Sequence, residues 1–205
     1  ANRLGELLKN GLRYLALNQS GRCFGNKAVE AIIAEDDGNK NLFALSIGGA
    51  YLLQDEDIAR LIQTCTPSSL EFKACPLLGR SLCQSICETY QNAQLLEFSL
   101  QDMTKFTEQD FELLLASPKA WKHLKSLRLC RIGCLNDSIV ERFIELTAST
   151  LEGLDVSDNH HLTDAVLASL RLHGASRLQS LNLSGLKGLT ATGLEAFFTR
   201  VDDEA

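Results

Sequence analysis

The strongest constraint on this chain is a phrase that returns. Apolar residues stand at Leu151, Leu154 and Val156, followed by Leu162-Thr163-Asp164 and then by Leu167 and Leu170. The same order recurs as Leu178, Leu181 and Leu183, then Leu189-Thr190, then Leu194 and Phe197, 27 residues further on. Five earlier copies begin at Leu12, Leu42, Pro67, Leu95 and Leu124, so successive starts lie 30, 25, 28, 29, 27 and 27 residues apart. A period of this size marks an array of stacked units, each too small to bury its own apolar face and completed by its neighbours.

Each unit reads as a strand and a helix. Apolar residues at i, i+3 and i+5 do not fit a long strand, but they suit a short one entered through a turn. The seven cores are Leu12/Leu15/Leu17, Leu42/Leu45/Ile47, Pro67/Leu70/Phe72, Leu95/Phe98/Leu100, Leu124/Leu127/Leu129, Leu151/Leu154/Val156 and Leu178/Leu181/Leu183. A second apolar set follows, as in Phe24/Val29/Ile32, Leu53/Ile58/Leu61, Phe106/Phe111/Leu114 and Leu135/Val140/Phe143, and its last step is one helical turn. Asn26, Asp55, Glu108, Asp137 and Asp164 sit where a helix would open and are expected to take its free N–H groups. Three residues past each strand, Ala50, Cys75, Met103, Ile132, Asn159 and Leu186 are expected to point inward, the Asn159 amide serving loop carbonyls. The expected architecture is an α/β leucine-rich-repeat solenoid, a horseshoe of about seven repeats with a parallel β-sheet on the concave face and helices on the convex face.

The domain reading places the repeats at 12–201, after an N-terminal segment 1–11 whose Leu4, Leu7 and Leu8 form a helical stripe, the end of an earlier repeat, and before an acidic tail, 202–205. The third copy is the poorest. It opens on Pro67, carries Cys75-Pro76 in its loop, and reads Leu77/Leu82/Ser85 with Ile86 one place late, so local irregularity is expected.

Composition narrows the function. Of 205 residues 45% are hydrophobic and 22% charged, which provides a continuous core. The net charge of −6, from 26 acidic and 20 basic residues, argues against a protein devoted to phosphate binding. Apolar runs such as Leu113 to Ala116 fall far short of the roughly 20 residues a membrane span needs. The start, Ala-Asn-Arg-Leu-Gly-Glu, lacks both a Met and a signal sequence, and reads as a processed or excised segment. Seven cysteines without a Cys-x-x-Cys pair fit reduced, mostly buried thiols in an intracellular protein, nuclear or cytoplasmic. There is no Gly-x-Ser-x-Gly, phosphate loop or His-Glu-x-x-His, and Gly48-Gly49 fits a tight turn, so no enzyme and no cofactor are expected.

Leu124 to Leu129 with Cys130 and Leu135-Asn136-Asp137, the Leu162-Thr163-Asp164 step, and the Leu-Ile-Gln-Thr-Cys of residues 61–65 resemble the cysteine-containing subtype of leucine-rich repeats. That subtype is typical of F-box substrate receptors and of the leucine-rich-repeat subunit of the nucleotide-excision-repair ubiquitin ligase. Its cysteine positions are filled unevenly here, by Cys75 in a loop and Cys65 at a helix end. Residues 1–11 are too short for an F-box, and the run Ser149 to Ser157 tilts the resemblance toward the repair-ligase subunit. The resemblance implies a protein-binding scaffold, the substrate-recognition or adaptor part of a ubiquitin ligase in DNA repair. A structural subunit docking on a larger complex is the alternative.

The candidate binding residues are those between the strand leucines. On the concave face these are Ala16, Ser46, Glu71, Ser99, Arg128, Asp155 and Asn182, flanked by Arg13, Tyr14, Phe43, Glu97, Lys125, Glu152 and Gln179. Lys125, Arg128 and Arg131 face Glu152, Asp155 and Asp158 of the next repeat. They either pair across strands or form a recognition surface, and as a basic patch they raise direct nucleic-acid binding as a further alternative. Tyr14 and Phe43 are the candidate hot spot, unless another repeat covers them. Cys130, Cys134, His160 and His161 could converge as a Cys2His2 zinc set, but repeats also align such residues for packing alone. Cys83 and Cys87 should pack on one helix face, with His123 and His173 toward solvent.

Overall fold

A computed structural model of the chain describes residues 6–7, 10–35, 42–173 and 176–199. In chain order its elements are β1 (Tyr14–Leu17), β2 (Gly21–Gly25), α1 (Asn26–Glu35), β3 (Ala44–Gly48), β4 (Ala50–Leu52), α2 (Asp55–Cys65), β5 (Ser69–Lys73) and α3 (Arg80–Thr89). There follow β6 (Glu97–Gln101), α4 (Glu108–Leu115), α5 (Pro118–Trp121), β7 (Ser126–Cys130), α6 (Asp137–Thr147), β8 (Gly153–Asp155), α7 (Ala165–Leu172), β9 (Ser180–Asn182) and α8 (Ala191–Phe198). Of the N-terminal stripe, Leu4 and Leu8 lie outside the described residues, as does the tail 202–205, whereas Leu7 is helical and exposed.

The strand signatures become one parallel sheet of seven strands in the order β1-β3-β5-β6-β7-β8-β9, with β2 and β4 forming a separate pair that the spacing did not predict. The helices follow the same succession, α1 against α2, α2 against α3, α3 against α4, α4 against α6, α6 against α7 and α7 against α8. Parallel strands need a crossover, and these helices supply it. Between sheet and helices lies a core in which Leu45, Ile47, Leu70, Phe72, Leu127 and Leu129 meet Ile58, Leu61, Leu82, Ile86, Val140 and Phe143, all buried. Each such side chain contributes roughly 1.5–3 kcal/mol by leaving water. The inward loop positions behave as the spacing demands: Ala50, Cys75, Met103, Ile132, Asn159 and Leu186 are all buried.

Two features break the regular succession, and the first of them is the irregularity expected from the sequence. The third unit is displaced by one residue, so that Leu78 rather than Leu77 is buried, and Ser85 turns inward to donate to the Ala59 carbonyl at 2.9 Å. The unit is otherwise regular, with Tyr90 donating to the Pro67 carbonyl that opens it. The second departure is α5. It brings Trp121 into the core, with ring centroids 5.3 Å from Phe98 and 5.1 Å from Phe143, and its indole N–H bonds Leu114 O at 2.9 Å.

Past each strand the chain turns through a left-handed residue. Gln19, Gly49, Ala74, Asp102, Arg131, Asp158 and Gly185 all have φ between 49° and 74°. Five of the seven carry a Cβ, at a cost of roughly 1–2 kcal/mol each. What holds them is the next unit: the N–H groups of Gly49, Ala74, Asp102, Arg131 and Asp158 donate to Lys73, Gln101, Cys130, Ser157 and Ser184 carbonyls at 2.8–3.3 Å. Gly185 is the constrained member, since a Cβ there would run into the Asp158 carboxylate.

Contrary to the expectation from the sequence, the polar residues at the helix starts do not cap their own helices. Each reaches into the following unit. Asp55 accepts from the N–H groups of Gly79, Ser81 and Leu82 at 3.0, 2.6 and 2.9 Å. Asp137 takes the N–H and hydroxyl of Thr163, Asp164 those of Thr190, Glu108 the Asn136 amide, and Asn26 donates to Asp57. The caps of the local helices are Thr107, Asn136 and Thr190. Thr107 forms a full capping box with Asp110.

Asp57 occupies in α2 the place that Asp110 holds in α4, but its N-cap partner is Gln54, which makes no cap bond, and one Asp57 oxygen is buried without a partner among the described residues. Gln54→Thr is therefore expected to complete a second box and stabilise the chain by about 1 kcal/mol. Asp55→Ala strands three N–H groups and is expected to destabilise by about 3 kcal/mol or more. Urea unfolding of both variants, with opposite displacements of the midpoint, checks this assignment.

Candidate protein-binding face

The sheet surface away from the helices carries the candidate residues. Strand pairing aligns Ala16, Ser46, Glu71, Ser99, Arg128, Asp155 and Asn182 as one continuous row, each opposite the next. Tyr14 and Glu97 belong to a second row, with Ala44, Ser69, Ser126, Gly153 and Ser180. Arg13, Phe43, Lys125, Glu152 and Gln179 stand one residue earlier, at the strand entrances, where their backbones continue the ladder. The expected flanking set thus falls into two rows.

The charges toward the C-terminal half are paired. Lys125 Nζ lies 2.9 Å from Glu152 and Arg128 Nε 3.3 Å from Asp155. Arg131 spans three units, with Nε and Nη2 on the two Asp102 oxygens at 2.6 and 3.0 Å and Nη1 on Asp158 at 2.8 Å. All three members occupy left-handed turn positions, which stacks them in line. Asp102 was absent from the candidate residues, although its place two residues past Leu100 matches that of Arg131 after Leu129. The guanidinium holds the Asp102 carboxyl below its ordinary value. At Asp155 burial works upward, but bonds from Ser157, Cys130 and Asn182 outweigh it and the carboxyl is also lowered. Exposed pairs of this kind contribute roughly 0.2–1 kcal/mol each and fix orientation more than stability.

The opposite end is aromatic. Tyr14 is 64% exposed, its ring centroid 5.6 Å from that of half-buried Phe43, and the Arg13 guanidinium sits 5.8 Å over the Phe43 ring. Between the ends the surface is small and polar: Ser46 Oγ donates to Glu71 at 2.6 Å and Ser69 Oγ to Glu97 at 2.8 Å. A hollow of 190 Å³ opens there, and beside it a larger one of 550 Å³ reaches Tyr51, Lys73 and Gln101. Gln179 is exposed and Asn182 half-buried, its Oδ1 accepting from Ser184 N.

The zinc alternative has no assembled ligand set among the described residues. Cys130 is buried against Ser157 Oγ at 3.4 Å, its thiol pushed up to about 11 by burial, while His160 bonds the Gly185 carbonyl and His161 is exposed. Cys83 and Cys87 are buried on one face of α3. His123 faces solvent as expected, but His173 does not: its Nε2 is buried and without a partner among the described residues. Asn159 fulfils its assignment, donating to the Leu129, Val156 and Ser157 carbonyls and accepting from Ile132 N–H.

The chain is similar to the DNA repair protein RAD7 of Saccharomyces cerevisiae, with 25% identity over 173 residues. The match takes in 84% of this chain and spans 30% of the length of that protein. No protein-family model matches the chain. No helix among the described residues is long and apolar enough to cross a membrane.

The lowered carboxyls set a pH dependence. Unfolded Asp titrates near about 3.9, so groups held below that value contribute stability above about pH 4 and lose it as pH falls through their folded values. Arg131→Gln is expected to lower the urea midpoint at pH 7 and to shrink the loss of stability between pH 7 and pH 3. An unchanged loss would detach the acid response from the Asp102–Arg131–Asp158 line.

Proposed function

We propose that the chain is a leucine-rich-repeat solenoid, a horseshoe with the seven-stranded sheet lining its concave face, and that it works as a non-enzymatic protein-binding scaffold. The observation that carries this reading is the succession of seven parallel strands in chain order, each followed by a helix, at the spacing of the sequence repeat. The outward rows then form one broad surface on which several strands contribute to a single partner, the kind of surface stacked repeats supply. Similarity to a protein named for DNA repair supports placing the scaffold in repair, within the cell, nuclear or cytoplasmic. Within that setting the substrate-recognition or adaptor part of a ubiquitin ligase is the role favoured by the resemblance of its repeats.

A second reading, a structural subunit docked on a larger complex, draws on the C-terminal helices. Leu172, Leu194 and Phe198 are exposed there, beside an apolar hollow of 470 Å³ between α7 and α8. Direct nucleic-acid binding through Lys125, Arg128 and Arg131 is disfavoured, because each of these cations already faces a carboxylate.

Affinity purification of the tagged chain at mild salt is expected to recover a cullin or its adaptor together with repair components. Stoichiometric recovery of an unrelated assembly would sink the ligase reading. With a partner in hand, Tyr14→Ala and Phe43→Ala are each expected to weaken binding by about 2 kcal/mol, roughly thirtyfold, as exposed aromatic anchors do.

A further inference from the structure

The charges on the outward face do not balance locally. Toward the C-terminal half every cation named above is matched by a carboxylate, but in the middle of the sheet Glu71 and Glu97 have no cation within ion-pair distance among the described residues. Pairing sets Glu71 opposite Ser99 and Glu97 opposite Ser69, so the two carboxylates stand diagonally across β5 and β6 on either side of one hollow. Ser46 and Ser69 each bond one carboxylate oxygen and hold the groups in place. The floor of the hollow includes Ser99, whose hydroxyl oxygen is buried and without a partner among the described residues. Arg128 lines the same hollow but its Nε faces Asp155 at 3.3 Å, on the side of β8.

Resting on the scaffold reading, we infer that this hollow receives an arginine side chain from an extended segment of the partner protein. Two carboxylates on either side of a space of 190 Å³ offer four acceptor oxygens in different directions, which suits the five fixed donors of a guanidinium better than the single head of a lysine. The flanking positions are small, among them Ala44, Ser46 and Ser126, so a peptide backbone can approach the sheet closely. A phosphate-bearing ligand meets two carboxylates without an ion-pair partner there and is disfavoured, which favours a cationic protein segment as the occupant.

The probe is N-acetyl-arginine methylamide, titrated into the 15N-labelled chain, with the N-acetyl-citrulline methylamide, its uncharged counterpart, as control. Saturable amide shifts at Ser69, Glu71, Glu97 and Ser99 are expected with arginine, at an affinity about tenfold or more above citrulline, and the Glu71→Gln, Glu97→Gln chain should lose that preference. Glutamine keeps the size and the serine bonds of each glutamate, so the fold is retained. Absence of a saturable shift on β5 and β6, or an equal response to citrulline, overturns the inference. The probe is not a partner, so the two readings separate. Arginine binding with no protein partner recovered keeps the pocket and removes the scaffold, whereas a partner bound equally by the double variant removes the pocket and keeps the scaffold.

Discussion

The fold depends on carboxylates that act one unit ahead of themselves. Apolar contacts between neighbouring units set how closely they pack, but they are non-directional and leave the units free to rotate and slide. A carboxylate on three N–H groups removes that freedom. Asp55 does this for the start of α3, and Asp137 and Asp164 do it for the turns before α7 and α8 by taking both the N–H and the hydroxyl of a threonine. Asn159 fixes the loops in the opposite direction, joining its own turn back to Leu129 and Ile132 of the unit before. Sheet register, helix phase and loop position are thereby tied together between adjacent units, and the outward rows inherit that order.

Much of the succession of elements was legible because burial repeats. An apolar residue at i+3 must face the core, and Leu15, Leu45, Leu70, Phe98, Leu127 and Leu154 are buried, with Leu181 of the seventh copy half-buried against it. The inward loop position could be read for the same reason. What could not be read was the direction of polar side chains. The type of residue at Asp55 signals that free N–H groups are near, but only the stacking geometry says that they belong to the next helix. Trp121 does not follow from the repeat because it lies in a short helix between α4 and β7 that has no counterpart in the other units among the described residues. The left-handed turns were hidden for a different reason, since Ala74, Asp102 and Arg131 adopt a conformation that their sequence does not announce.

The candidate face was legible as a set of positions and less so as chemistry. Alternation along a strand identifies which residues point outward, and the row from Ala16 to Asn182 follows from it. Whether a charge on that row is free or spent depends on its neighbours. Arg128 and Asp155 neutralise one another, as do Lys125 and Glu152, while Glu71 and Glu97 carry similar side chains in a setting of serines and keep their charge available. Residue type alone would have ranked the arginines first.

The two outermost strands of the sheet are unlike each other. Strand β9 has three residues, Ser180, Leu181 and Asn182, and follows the polar Gln179, so the margin it forms is short and polar. Strand β1 is Tyr-Leu-Ala-Leu, with an exposed aromatic and no charge within it. Among the described strands the sheet is therefore graded, from an aromatic margin at Tyr14 and Phe43 to a short polar one at β9.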